Sequence, residues 1–289
     1  MRYRGPIFRP PSEADSYILQ IAYGCSWNKC TFCHMYPGIP FRVRPIDEVL
    51  EDIAEAGRSI PHVRRVFLAD GDAMVLGPRL LLRILAALRE HLPNLERVGI
   101  YTDAKGVLRK GDETLRELAA AGLGIVYLGL ESGSDEVLSR LRKEATAGEM
   151  TEAMQRCSAA GLRTSVIALI GAGGQELTES HADETARVVS EMGPDYFSLL
   201  TLMILDGSPL ATDREQGRYT SLEPLQTLRE MRRILAGIET AGPMVFRTNH
   251  ASTYLPLSGT LPGDKAAMLA KLDWAIDNKV LRPEYFRAL

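Results

Sequence analysis

Three cysteines near the start of the chain have the close spacing of a metal-binding loop. Cys25, Cys30 and Cys33 fall within nine residues, directly after the apolar segment 17–22. Three thiolates on one short loop can hold a metal centre and still leave one coordination position open. The spacing therefore predicts a metal centre that does chemistry rather than one that only supports the fold.

Segments with strand and helix patterns alternate along most of the chain and would position this loop. Each apolar strand-like segment is followed by a helical pattern, such as Ile46, Val49, Leu50 and Ile53 at helical spacing. Alternating β/α units with right-handed crossovers keep their strands parallel and close fully or partly into a barrel. The six predicted strands are 17–22, 65–69, 97–102, 125–130, 164–170 and 196–202.

The number of units predicts the fold class and the division of the chain. Six units, rather than the eight of a closed barrel, predict an α/β fold: a partial (βα)6 TIM-like barrel with a C-terminal elaboration. We expect an N-terminal extension at 1–16 and a core barrel at 17–210. Residues 211–289 should add C-terminal helices and a closure on the substrate side, within the same domain.

Composition narrows the function classes. The 289 residues carry 34 basic and 37 acidic side chains, a net charge of −3, which gives no electrostatic argument for a nucleic-acid or membrane partner. No apolar run approaches the ~20 residues that cross a bilayer, and the first residues lack the apolar core of a signal peptide. Clustered cysteines without an export signal favour a reducing cytoplasm.

Unusual polar residues follow the predicted strands. In a parallel β/α barrel the reactive groups gather at the carboxyl ends of the strands. Asp70, Gly71 and Asp72 follow the second strand, and Glu131 and Ser132 follow the fourth. We therefore expect these side chains to lie at the same end of the barrel as the cysteines.

The cysteines, together with these strand-end elements in order, resemble the radical S-adenosylmethionine (SAM) superfamily. The resemblance implies that Cys25, Cys30 and Cys33 bind a [4Fe–4S] cluster whose open iron chelates SAM. It also implies reductive cleavage of SAM to a 5′-deoxyadenosyl radical that abstracts a substrate hydrogen. Electrons would come from ferredoxin or flavodoxin. The segment 129–134 is most similar to the Elp3-like and coproporphyrinogen-dehydrogenase-like branch.

The resemblance also implies which residues contact SAM. Asp70, Gly71 and Asp72 stand where the family receives the SAM amino group. Glu131 and Ser132 match the polar pair that faces the ribose and the methionyl group. The residues expected beside the adenine are Phe32, Ile170, Gly171 and Leu202.

Two departures from the family pattern stand out. Four residues separate Cys25 from Cys30, where three are usual, so the motif is CX4CX2C. Asp70 replaces a glycine of the SAM-binding element, which leaves the division of labour between Asp70 and Asp72 open.

The same residues allow other interpretations. The cysteines could form a zinc site with His34 in a scaffold without catalysis, or hold a cluster in an iron–sulfur electron-transfer protein. Asp70 and Asp72 could instead have no role beyond capping the following helix, and Glu131 could instead form a salt bridge with a neighbour in the barrel. Cys157 is predicted to be a buried small side chain. His62, His91 and His181 are expected on polar helix faces or loops, in contact with solvent.

A polar segment late in the chain is the candidate for substrate contact. Arg247, Asn249 and His250 follow an apolar strand predicted at 244–249, and a final helix is predicted at 264–278. Arg247 suits a substrate carboxylate or phosphate, and His250 suits proton transfer or orientation. We expect a small-molecule substrate and neither nucleic acid nor membrane as partner. These three residues complete the predicted catalytic set.

Overall fold

The computed structural model describes residues 2–287, and the chain forms two compact units. Within residues 2–287, no helix combines the length and the apolar character needed to span a bilayer. The first unit comprises Met1–Asn28, Met35–Leu128 and Glu152–Thr164, and the second comprises Lys29–His34, Gly129–Thr151 and Ser165–Leu289.

The first unit is built from β/α repeats. Strands β1 (Tyr17–Gln20), β4 (Arg65–Ala69), β5 (Arg97–Thr102) and β6 (Leu123–Glu131) run parallel in that order, with Gln20 opposite Ala69 and Leu68 opposite Ile100. The polar residues that follow β1, β4 and β5 therefore emerge at one edge. The elements are β1 (Tyr17–Gln20), β2 (Ala22–Tyr23), β3 (Arg42–Val43), α1 (Ile46–Ser59), β4 (Arg65–Ala69), α2 (Pro78–His91), β5 (Arg97–Thr102), α3 (Ala104–Leu108), α4 (Asp112–Ala120) and β6 (Leu123–Glu131), whose last residues belong to the second unit.

Apolar patterning explains these elements. In β4, the run from Val66 to Ala69 is buried on both faces, as expected for a parallel strand covered by helices. Helix α2 starts with Pro78 at its first position, where a missing N–H costs nothing, and buries Leu81, Leu85 and Leu88 at helical spacing.

The N-terminal residues pack into the first unit through a buried carboxylate. Glu13 ends a short 3₁₀ turn, Pro11–Glu13, and is fully buried. Its carboxylate accepts a hydrogen bond from Arg97 at 2.6 Å, as well as from Ser16 and from the hydroxyl of Tyr127. Because Arg97 begins β5, this network closes the edge opposite to the one that carries Asp70.

The second unit continues the same architecture. Strand β7 (Arg163–Ile170) pairs in parallel with β8 (Tyr196–Thr201), which pairs in parallel with β9 (Met244–Arg247). Strand β10 (Ser258–Leu261) pairs with β9 antiparallel. Helix α7 (Thr178–Met192) packs on α9 (Pro224–Gly237), which packs on α10 (Lys265–Asp277). The elements are α5 (Asp135–Arg140), α6 (Ala147–Ala159), which ends in the first unit, β7 (Arg163–Ile170), α7 (Thr178–Met192), β8 (Tyr196–Thr201), α8 (Pro209–Glu215), α9 (Pro224–Gly237), β9 (Met244–Arg247), β10 (Ser258–Leu261) and α10 (Lys265–Asp277).

The predicted α/β class is confirmed, with small differences in the elements. The first predicted strand is interrupted at Ile21, whose N–H turns to the carbonyl of Ala69. The sequence pattern predicts a helical stretch over 135–160 with a break near 145–148, and the structure has two helices there, α5 and α6. The strand predicted at 244–249 ends at Arg247, where β9 stops pairing with β10. The predicted boundary after residue 210 stays a prediction.

Candidate active site

The four cysteines, all thiols, fall into two classes. Cys25, Cys30 and Cys33 are partly exposed, whereas Cys157 is buried. Burial raises the pKa of Cys157 to about 12, so this thiol keeps its proton near neutral pH. Only a thiolate is a good metal ligand, so the three loop cysteines, and not Cys157, are the candidate donors.

Cys25 is packed against the turn that follows β4. A β-carbon added to Gly71 would lie 3.0 Å from Cβ of Cys25 and 2.8 Å from the ring of Tyr36. The N–H of Gly71 also donates to the carbonyl of Gly24 at 3.2 Å. Glycine at this position therefore lets the Asp70–Gly71–Asp72 turn approach the cysteine loop.

Asp70 anchors that loop. Its Oδ2 accepts hydrogen bonds from Nε2 of Gln20 at 2.8 Å and from the N–H of Gly24 at 3.3 Å. Burial raises the pKa of Asp70, and the hydrogen bonds from Gln20 and Gly24 partly oppose that shift. The side chain thus ties β1 to the cysteine loop instead of capping a helix.

Asp72 is the second buried carboxylate of the turn. Oδ2 accepts from the hydroxyl of Ser26 at 2.5 Å, and Oδ1 accepts from the N–H of Asp103 at 3.3 Å. Burial, reinforced by the charge of Asp103, raises the pKa of Asp72 to about 7. Its side chain makes no capping hydrogen bond to the short turn that follows. A bound cation would relieve the cost of ionising this carboxylate, so the position favours a positively charged group.

Lys110, which was not predicted from the sequence, lies close enough to Asp72 for their charges to interact. It is buried, and its Nζ donates to the carbonyl of Gly106 at 2.9 Å and to the carbonyl of Met74. Burial lowers the pKa of Lys110, while Asp72 and Asp103 oppose the shift. The positive charge of Lys110 therefore limits how much two acids in one place repel each other.

In the second unit, the residue between Cys30 and Phe32 fixes the rest of the cysteine loop. Thr31 donates its N–H to the carbonyl of Leu141 and accepts from the N–H of Leu210, both at 2.9 Å. Phe32 packs against a cluster formed by Val137, Leu141, Leu169, Ala172 and Leu210. The aromatic ring predicted to lie beside the adenine is thus held against the ends of β7 and α5.

Glu131 ends β6 in the left-handed backbone region, with φ of 62°. Its Oε1 lies 3.0 Å from Nζ of Lys143, so Glu131 forms the salt bridge that was the alternative interpretation of this residue. A contact between Glu131 and the cofactor stays a prediction.

Ser132 belongs to a buried network. Its Oγ lies 2.8 Å from Nδ1 of His181 and accepts the N–H of Ser134 at 3.0 Å. Nε2 of His181 lies 3.6 Å from Oε1 of Glu230, longer than a hydrogen bond. The neighbouring Gly133 allows this approach, because an added β-carbon there would lie 2.2 Å from the carbonyl oxygen of Glu184 in α7.

The expected solvent contact of His181 is wrong, since its side chain is fully buried. Burial lowers the pKa of His181 to about 4 and raises the pKa of Glu230 to about 7. The helical spacing in α7 could have predicted this burial, because His181 lies on the same helix face as the buried residues Thr185, Val188 and Met192.

Glu230 also holds the turn after β7. Its Oε1 accepts the N–H of Gly171 at 2.6 Å, and the carbonyl of Gly171 accepts the hydroxyl of Tyr219 at 2.6 Å. Two neighbouring buried groups therefore position two of the residues predicted to contact SAM: His181 bonds to Ser132, and Glu230 bonds to Gly171.

A cavity of about 310 Å³ opens beside this turn, within the second unit. Its lining includes Ile170, Gly171 and Leu202, which were predicted to lie beside the adenine. Ligand pockets start at about 300 Å³, so the cavity has the size of a small-molecule site.

The three predicted substrate residues differ in their exposure to solvent. Arg247 and Asn249 are exposed, whereas His250 is half buried. Nδ1 of His250 lies 2.9 Å from Oγ of Ser252, and burial lowers the pKa of His250. Their role in catalysis stays a prediction.

The donor set suits an iron–sulfur cluster. Within residues 2–287, no three His, Cys, Asp or Glu side chains already surround a point where one metal ion would lie. The fit rests instead on donor chemistry: thiolate sulfur is the ligand of such clusters, and the three loop cysteines are accessible. The close contact between Cys25 and Gly71 also brings the turn predicted to bind SAM beside the first candidate donor.

Comparison with known proteins gives the same indication. A family model described as the Radical SAM superfamily matches residues 19–189. The tRNA-2-methylthio-N(6)-dimethylallyladenosine synthase of Hahella chejuensis is 27% identical over 218 residues, covering 70% of this chain and 46% of that protein.

Solved structures share the fold. Coproporphyrinogen III oxidase (HemN) from Escherichia coli, described as a radical SAM enzyme, has a TM-score of 0.57 at 18% identity, covering 76% of this chain and 51% of that one. Elp3 from Methanocaldococcus infernus has a TM-score of 0.52 at 13% identity, covering 92% of this chain and 64% of that one. The chain thus spans only about half of the curated synthase and of the oxidase, and such low identities concern the fold alone.

Proposed function

The chain belongs to the radical SAM superfamily, and on this premise we propose that it is an enzyme acting on a small-molecule substrate. A [4Fe–4S] cluster and SAM are the cofactors of this superfamily and therefore of this chain. When bound and reduced, they supply a 5′-deoxyadenosyl radical that removes a hydrogen atom from the substrate.

The protein contributes binding and orientation. Cys25, Cys30 and Cys33 would ligate three irons, so that one position stays open for SAM. Asp72 would receive the SAM ammonium group, because its ionisation is costly until a cation is bound. Asp70 would act as a positioning residue, since both Gln20 and Gly24 already donate to it.

The adenosyl end would lie in the second unit. Phe32, Ile170, Gly171 and Leu202 offer apolar contacts and a fixed backbone for the adenine. Glu131 and Ser132 would face the ribose and the methionyl group. The cavity beside Gly171 would exclude water from a reactive intermediate.

The candidate substrate residues differ in exposure. Of Arg247, Asn249 and His250, only His250 is partly buried. We therefore propose His250 as the member of this set nearest to a substrate role, with Arg247 and Asn249 at the surface.

The observation that carries the proposal is the packing of Cys25 against the Asp70–Gly71–Asp72 turn. It supports the proposal because a thiol that can bind metal lies beside the turn of a buried carboxylate, Asp72, whose ionisation a cation such as the SAM ammonium group would favour. A metal that only supported the fold would not need the buried carboxylate.

Anaerobic reconstitution tests this function. With iron, sulfide, SAM and dithionite, the wild-type protein should take up about four irons and release 5′-deoxyadenosine. The Cys25→Ala variant should lose both properties, and Cys157→Ala should keep both, because Cys157 is buried and protonated. Uptake of zinc without iron would favour the scaffold, and a reducible cluster without SAM cleavage would favour an electron carrier.

The partners follow from the same chemistry. Ferredoxin or flavodoxin is proposed as the electron donor, and a cytoplasmic location stays a prediction. Since the curated synthase acts on tRNA, bulk tRNA should be added to the cleavage assay. Stimulated 5′-deoxyadenosine release with tRNA would replace the small-molecule proposal.

A further inference from the structure

The cavity beside Gly171 carries positive charge. Its described lining holds two cationic side chains, Arg214 and Arg287, and no acidic one. Among residues 2–287, Arg214 has no carboxylate within ion-pair distance, although its charge acts on the neighbouring Tyr219. An anionic group entering the cavity would therefore meet a cation that is not already neutralised.

Arg287 is held in a fixed orientation. Nε donates to the carbonyl of Ser252 at 2.8 Å, and the guanidinium carbon lies 3.6 Å from the ring centre of Tyr254. Nη1 pairs with Glu284 at 2.7 Å, and only 8% of the Arg287 side chain is exposed. Within the described chain, Nη2 has no hydrogen-bond acceptor. A guanidinium fixed in this way can offer that nitrogen to a carboxylate or phosphate oxygen at little entropic cost.

An unsatisfied hydroxyl lies in the same cavity wall. Thr201, at the end of β8, is only 6% exposed, and its Oγ1 has no hydrogen-bond partner among residues 2–287. Its backbone N–H is satisfied by Oγ of Ser252 at 3.1 Å. Buried hydroxyls are normally hydrogen-bonded, so Thr201 indicates a polar ligand group.

The rest of the lining selects the body of the ligand. The hydroxyl of Tyr219 is bound to Gly171, and that of Tyr254 to Glu284, so both rings contribute apolar surface. Ile204 and Leu222 add to that surface. The cavity therefore suits a small apolar or aromatic molecule that carries one anionic oxygen group.

We propose, on the basis of the function proposed above, that this cavity binds the carboxylate or phosphate group of the substrate through Arg287 and Arg214. Thr201 supplies a third polar contact. His250 becomes a positioning residue, because it orients Ser252, which holds both the N–H of Thr201 and Nε of Arg287.

Calorimetric titration of the reconstituted, SAM-loaded protein tests the proposal, with phenyl phosphate and benzoate as ligands at constant ionic strength. At least one should bind at one site per chain, and the tighter one identifies the substrate's anionic group. Arg287→Met should weaken that binding about tenfold or more, as expected for a lost charged hydrogen bond. Arg214→Met, at an exposed position, should weaken it less and keeps the test valid if Arg287→Met fails to fold.

Arg218→Ala is the matched control, since Arg218 is an exposed arginine near Arg214 that pairs with Asp213. An equal loss in Arg218→Ala would overturn the proposal. So would an equal loss of SAM affinity in Arg287→Met, because the anion would then be the carboxylate of SAM. A wild-type protein that forms 5′-deoxyadenosine but binds neither ligand would refute the subsite and leave the proposed function standing.

Discussion

At the scale of single residues, Asp72 combines burial with an incomplete set of partners. Ser26 and the N–H of Asp103 donate to it, yet its ionised form is still disfavoured. Replacement by asparagine keeps the shape and removes the charge. SAM affinity should fall about ten- to a hundredfold, the value of a charge-assisted hydrogen bond, while iron content stays unchanged.

The pH dependence of SAM binding checks the same carboxylate. Its pKa is raised to about 7 in the absence of a cation, so a proton competes with the SAM ammonium below that pH. Wild-type affinity should therefore rise as the pH increases from about 6 to about 7, below the range in which an α-amino group itself loses its proton, and the Asp72→Asn variant should show a flatter profile. An unchanged affinity in Asp72→Asn would assign this residue to the support of the turn only.

At the scale of elements, the turn after β4 depends on the absence of a side chain at Gly71. Gly71→Ala would push Tyr36 or the cysteine loop aside, at a cost of about 1–3 kcal/mol for overpacking. The iron content after reconstitution should drop in this variant. Gly77→Ala is the control, because a β-carbon there meets no described atom within 4 Å. Equal iron in both variants would mean that the turn does not constrain Cys25.

The N-terminal turn offers a second test at this scale. Glu13→Ala would leave Arg97 and the hydroxyl of Tyr127 without their buried acceptor, and should lower the free energy of unfolding by about 3 kcal/mol. Glu96→Ala removes the exposed partner of Arg64 and should cost about 1 kcal/mol or less. Urea unfolding measures both, and similar losses would show that the Glu13 network adds no more than a surface pair.

At the scale of the whole molecule, His181 and Glu230 link stability to pH in opposite ways. Burial raises the pKa of Glu230 from 4.5 to about 7, so its contribution is complete below pH 4.5 and is lost as the pH rises to about 7. Burial lowers the pKa of His181 from 6.5 to about 4, so its contribution is complete above pH 6.5 and is lost as the pH falls to about 4.

Glu230→Gln removes only the first of these dependences. Relative to wild type, the free energy of unfolding of the variant should increase from about pH 5 to about pH 8, by at most about 3 kcal/mol. The exposed Glu239→Gln serves as the control and should show no such trend. A parallel pair of pH profiles for Glu230→Gln and wild type would mean that Glu230 is ionised throughout.

The sequence predicted the features that depend on local pattern. Strands such as Arg65–Ala69 and Arg97–Thr102 were found at their predicted bounds, because apolar runs between helices leave little freedom. It could not predict that Glu230 would reach Gly171, or that Lys110 would lie close to Asp72. Those contacts depend on how helices pack, and a glutamate or lysine in a helix is more often solvated.

The buried thiol of Cys157 can report how often the folded chain opens. Its thiol is buried and protonated, whereas the three loop cysteines are accessible. An alkylating reagent applied to the native protein should therefore mark the loop cysteines first, or spare them once they ligate iron, and reach Cys157 only during transient opening of the structure. The slow appearance of a mass shift on the peptide containing Cys157 would report how often the interior opens, independently of whether the cluster is present.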